Sequence, residues 1–169
     1  MMVDTYEVQR SATVDAPPER VFAQLADFRA WRTWSPWEDI DPDIRRSYLG
    51  PATGRGAGYA WSGNRKAGRG RMRIVEATEP SKVAIDLEFD KPFKARNDLV
   101  FAVEPVGADG PGAADGGRSR VTWTMSGRQT LMTRVMGVFK SMDAVVGPDF
   151  ERGLARLKAT VEGRSGTTA

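Results

Sequence analysis

The residues best equipped for chemistry sit close together: Trp31, Trp34 and Trp37 at intervals of three, followed at once by Glu38, Asp39, Asp41 and Asp43. A carboxylate desolvated beside indole rings gains proton affinity and could carry a proton. The structural alternative is that the tryptophans pin short helices to a sheet while the carboxylates are solvated loop residues or caps. Asp39, Asp41 and Asp43 alternate at a spacing that oxygen ligands of calcium can take. The pattern nevertheless lacks the glycine and distal glutamate of a calcium loop, and no metal site is assigned. The chain has no histidine and no cysteine. Imidazole bases, thiolate nucleophiles, Ser-His-Asp triads, ordinary zinc sites and disulfides are thereby excluded. Any acid–base step falls to Asp, Glu, Lys, Arg or Tyr; no catalytic set is recognisable, and no cofactor is implied.

A second group of residues suits binding. Tyr59, Trp61, Met72, Phe89, Phe101 and Trp123 share one parity in strand-like segments, and Met142, Val146 and Phe150 belong to a terminal helical stripe. Aromatic walls with adaptable thioethers fit a flat or flexible apolar ligand, and these nine are the candidate lining of a cavity. Ordinary core packing is the competing account of each. Arg69, Arg71 and Arg73 line the opposite parity, with Arg65 and Lys66 just before them. An anion could dock there, but acidic residues on the Val83–Phe89 strand share that parity and can pair with them.

The elements that must position these residues are legible from period. Tyr6 to Val14 alternates as a first strand, with Arg10 intruding on the apolar parity, which places it near an edge or into a cavity. Asp15-Ala16-Pro17-Pro18-Glu19 is a helix-start signal. Val21, Phe22, Leu25 and Phe28 then give one short amphipathic helix, and Phe28 to Trp34 a second, ended by Ser35-Pro36. Strands are expected over about Ile44–Leu49, Gly56–Ser62, Arg69–Thr78, Val83–Phe89, Arg96–Glu104 and Arg120–Ser126, joined by turn residues as in an antiparallel meander. From Leu131 to Val161 apolar residues recur every three or four positions, the mark of one long amphipathic helix. Gly147-Pro148 predicts a kink or break within it, and Gly153 a close approach of helix to sheet. The reading is α+β: a curved antiparallel sheet of about seven strands gripping a long C-terminal helix, in a single domain over 1–169. Gly107 to Gly117 reads as a flexible hairpin insertion and 163–169 as a disordered tail.

With 25 basic and 22 acidic residues the net charge is +3, too balanced to argue for nucleic acid without a concentrated patch. The N-terminal residues lack a signal-peptide pattern and no apolar run is long enough for a membrane span, so a cytoplasmic location is expected. Oligomeric state is not legible.

The order strand, two short helices, six strands, long helix resembles the helix-grip arrangement of the START-like superfamily. Val14-Asp15-Ala16-Pro17-Pro18-Glu19-Arg20-Val21-Phe22 is similar to the strand-to-helix junction of its polyketide cyclase/dehydrase and lipid-transport family. The spaced tryptophans of Phe28 to Pro42, Trp61-Ser62-Gly63-Asn64 and the segment Gly147 to Lys158 resemble a bacterial subgroup of that family. The resemblance implies a cavity between sheet and helix that holds a small hydrophobic or aromatic, lipid- or polyketide-like molecule. It also leaves open a cyclase or dehydratase built on Asp, Glu, Tyr or Arg, and a protein-interaction module such as a chaperone regulator, because one fold hosts many activities.

Overall fold

Residues with alternating polarity pair into seven strands in the computed structural model, which describes residues 5–37, 41–65, 67–91, 94–106, 117–128 and 142–163. The strands are β1 (Thr5–Val14), β2 (Arg45–Leu49), β3 (Gly58–Ser62), β4 (Arg69–Thr78), β5 (Lys82–Lys91), β6 (Ala95–Val106) and β7 (Arg118–Arg128). All neighbours are antiparallel in the order β1-β7-β6-β5-β4-β3-β2. From β2 to β7 consecutive strands are spatial neighbours, as short connections require. The sheet curves without closing, leaving β1 and β2 as its edges.

Among the described residues, two helices and a 3₁₀ turn cover the concave face. Helix α1 (Pro18–Leu25) starts on Pro17-Pro18, where missing amide donors are tolerated, and buries Val21, Phe22 and Leu25. The second short helix predicted over Phe28–Trp34 forms as a single 3₁₀ turn, Ala30–Thr33. Helix α2 (Met142–Val161) turns Phe150, Leu154, Leu157 and Val161 onto the sheet. At the C-terminal end the Arg20 guanidinium donates to the Val161 carbonyl, one of the acceptors that a helix end leaves unpaired. The Glu162 carboxylate nearby accepts the Asp15 amide at 2.7 Å.

Of the kink or break expected at Gly147-Pro148, the break is absent: α2 continues through Pro148. A proline ring clashes with the Cβ of the residue before it, and Gly147 has none. The same missing Cβ makes room for Arg10, whose guanidinium would overlap any side chain at 147 and which bonds Glu151 of α2 at 3.0 Å. Arg10 thus lies on an edge strand and reaches across to the helix. The expected Gly153 approach is observed, since a Cβ there would lie 2.8 Å from Pro36 Cδ and 3.1 Å from Trp123 Cζ3.

On the outer face Arg69 pairs with Asp90, Arg71 with Glu88, and Arg96 with Glu88 and Asp86. The Arg71 hydrogen bond holds Glu88 below its ordinary carboxylate value, and the Arg69 hydrogen bond does the same for Asp90. A lowered carboxylate value favours the fold above the ordinary carboxylate range and ceases to do so as pH falls through it; at exposed positions the effect is small. This is the solvated, paired face expected from the parity. The flexible insertion predicted at 107–117 lies outside the described residues up to 116, as do the tail from 164, Glu38 and Asp39, and the helical stripe over 131–141.

Candidate functional site

Strand registry sorts the inward residues into transverse rows. Tyr59, Met72, Leu87, Asn97, Gly127 and Tyr6 stand opposite one another across six strands and form one row. Trp61, Gly70 and Phe89 form the row on one side of it. Two steps to the other side lies the row Val83, Phe101, Trp123 and Arg10.

These rows have different fates. A cavity of about 330 Å³ lies between sheet and α2, walled by Tyr59, Trp61, Met72, Phe89 and Val146. These are five of the nine candidates. Phe101, Trp123 and Phe150 do not line it: Trp123 stacks flat on Phe150 with centroids 4.0 Å apart, and Phe101 packs at 4.9 Å from Trp123. Trp34 caps the stack edge-on at 5.7 Å from Trp123, and all four side chains are fully buried. The space is therefore filled by aromatic rings at that level, and the hollow extends along the Tyr59 and Trp61 rows. The side chain of Met142 lies outside what the structure describes.

Trp61 owes its place to Gly70. A Cβ on Gly70 would sit 2.6 Å from the indole Cη2, so the ring lies over the bare backbone while its N–H donates to the Ala67 carbonyl at 2.9 Å. Trp31 pins the 3₁₀ turn and Trp37 holds the segment after it against Trp123 and Phe150, and both face the cavity. The Trp31 N–H donates to the Leu25 carbonyl at 3.0 Å. The indoles thus take the structural role and also supply wall. Asp41 is a loop staple, accepting the Asp43 and Asn64 amides at 2.9 and 2.8 Å. Among the described residues no group of three acidic side chains could hold a metal ion.

The polar groups of the cavity were missed by the reading of parity. Asp149 lines it; its carboxylate accepts from Arg152 at 2.6 Å and from the Trp37 N–H at 3.4 Å. On the sheet side the Tyr6 hydroxyl donates to Asn97 Oδ1. Gly127 stands between them in the row, and a Cβ there would collide with both. The available signal was Asn97 on the buried parity of β6, alongside Leu99 and Phe101. Burial pushes the Tyr6 phenol above its ordinary value, so it remains a donor at neutral pH. A raised phenol value favours the folded state up to about pH 10 and stops favouring it as pH rises through the folded value. In an alkaline absorbance titration, Tyr6→Phe is expected to remove a late-ionising phenol, whereas loss of an early-ionising group would place Tyr6 in solvent.

An open curved sheet gripping one helix around an aromatic-walled hollow defines a helix-grip protein of the START-like class. The chain matches the profile of the family described as polyketide cyclase / dehydrase and lipid transport over residues 5–162, and it belongs to that family. No curated protein matches it by sequence. Solved structures share the fold at low identity. A Staphylococcus aureus protein of unknown function has 10% identity and a TM-score of 0.65, with 97% of this chain and 98% of that one covered. The Aha1 dimer from Colwellia psychrerythraea has 15% identity and a TM-score of 0.63, covering 94% and 98%. A protein from Chromobacterium violaceum has 14% identity and a TM-score of 0.61, covering 92% and 97%.

Proposed function

We propose that the cavity binds one small hydrophobic or aromatic molecule, lipid- or polyketide-like in character. The observation carrying this reading is the hollow itself, about 330 Å³ with mainly apolar walls. Protein interiors pack densely and leave few voids larger than a water, and ligand sites run from about 300 to 1,000 Å³. A space at the lower end suits fused rings or a short acyl chain better than a diacyl lipid. Affinity comes from apolar burial, at about 25 cal/mol per Å² removed from water. The family description supports the same class of ligand.

A catalytic reading has one specific observation behind it, the Asp149 carboxylate on the cavity wall. Both of its oxygens are engaged, one by Arg152 and one by Trp37. Each oxygen keeps a further acceptor position, but the mainly apolar hollow is the larger feature beside this one carboxylate, so binding is the reading retained. An interaction module would instead have a filled core and an apolar patch outside. Among the described residues the exposed large hydrophobics are Leu49 and Val75 alone, and no described helix is long and apolar enough to cross a membrane.

The test is a fluorescence titration with the neutral apolar dye N-phenyl-1-naphthylamine. Trp61→Ala removes one wall and is expected to weaken dye binding by about tenfold, the equivalent of ~1.4 kcal/mol. Unchanged affinity would remove Trp61 from the binding surface.

A further inference from the structure

The cavity is not uniformly greasy, and its few polar atoms are arranged with a sign. Among its described lining residues there is no lysine or arginine; the only charged side chain is the Asp149 carboxylate. Asn97 is 6% exposed, and its Oδ1 is taken by the Tyr6 hydroxyl. The Asn97 amide nitrogen has no hydrogen-bond partner among the described residues, and the residue faces the hollow. An amide NH₂ carries two donors, and these open onto the hollow, where a ligand acceptor can take the place of water. The cavity therefore presents an amide donor on the sheet side and, on the helix side, a carboxylate already paired with Arg152.

We propose that the site selects neutral ligands bearing a hydrogen-bond acceptor, a ketone, ester or quinone oxygen, seated on the Asn97 amide, and that it discriminates against carboxylates. This rests on the cavity being a ligand site. A carboxylate entering the hollow would be stripped of water with no cation among the described lining residues to compensate, and it would share the space with the Asp149 carboxylate. A neutral carbonyl meets the amide donor without that penalty. Tyr6 is a positioning residue: its hydroxyl holds the Asn97 oxygen across Gly127 and so turns the nitrogen toward the space.

Three molecules sharing one skeleton separate the terms: 2-acetylnaphthalene, 2-ethylnaphthalene and 2-naphthoate, each competing with N-phenyl-1-naphthylamine on the full chain at neutral pH. The ketone is expected to bind about tenfold tighter than the ethyl compound, the worth of one hydrogen bond to an otherwise unpaired donor, and 2-naphthoate weakest of the three. The double variant Tyr6→Phe/Asn97→Leu, which removes both polar partners together, is expected to bring ketone and ethyl compound to equal affinity. Equal binding of these two by the unaltered protein, or carboxylate binding as tight as the ketone's, overturns the proposal while leaving the cavity a ligand site. Failure of the dye and all three compounds to bind overturns the ligand reading with it. The ranking on the unaltered protein decides even if the double variant does not fold.

Discussion

Trp123→Ala is expected to destabilise the protein by about 3–5 kcal/mol, the range for deleting a buried tryptophan or phenylalanine ring. Trp123 is fully buried and touches rings from three directions: Phe150 of α2 flat against it, Phe101 beside it on β6, and Trp34 and Trp37 edge-on. Truncation would leave a void between sheet and helix that the rigid neighbours cannot collapse to fill. The comparison variant is Trp123→Phe, which keeps a ring for stacking and removes an indole N–H buried without a partner among the described residues. Losing that orphan donor offsets part of the lost volume, so the phenylalanine variant is expected to cost much less. Denaturant midpoints on the two variants measure both. A cost near ~1 kcal/mol for the alanine, typical of an arbitrary substitution, would mean the stack does not hold α2 to the sheet.

Gly153→Val is expected to destabilise by about 1–3 kcal/mol, the usual penalty for overfilling a packed site. Replacing a helical glycine by alanine gains up to about 1 kcal/mol of helix propensity where space allows. Here the first added carbon already meets the Pro36 ring at 2.8 Å and Trp123 Cζ3 at 3.1 Å. Neither neighbour is the tip of a flexible side chain, so contact outweighs propensity, and valine adds two methyl groups to the conflict. Thermal unfolding checks the sign: a raised midpoint would mean that α2 does not lie this close to the sheet.

Much of the architecture was readable because each element shows its own period. The parity of β4 and β5 separated Met72, Ile74, Ile85 and Leu87 from Arg71, Arg73, Asp86 and Glu88, and the structure buries the first set while placing the second on the outer face. The stripe Phe150, Leu154, Leu157 and Val161 marked the gripping face of α2 in the same way. Parity has a limit, however. It assigns a residue to a face but not to a row along the strand, and Trp61 and Trp123 have the same parity signature. Registry places Trp61 beside Gly70, next to open space, and Trp123 opposite Arg10, under the aromatic stack. Phe101 and Phe150 were grouped with the cavity lining for that reason and belong to the filled level. The Tyr6–Asn97 pair was hidden for another reason: its partners are 91 residues apart and meet only through β7, across a glycine. The continuity of α2 through Pro148 turned on a local detail, the missing Cβ of the residue before the proline.

The most direct measurement is native mass spectrometry of the full chain with N-phenyl-1-naphthylamine, comparing the unaltered protein with Val146→Phe. Val146 lies on α2 at the cavity wall, one turn before Phe150, so a phenylalanine there fills part of the hollow. Cavity-filling changes commonly stabilise by about 0.5–2 kcal/mol, so the variant is expected to melt at or above the unaltered protein. The account predicts one dye molecule per chain in the unaltered protein and sharply reduced uptake in the filled variant. No adduct in the unaltered protein, or undiminished uptake by Val146→Phe, would contradict it.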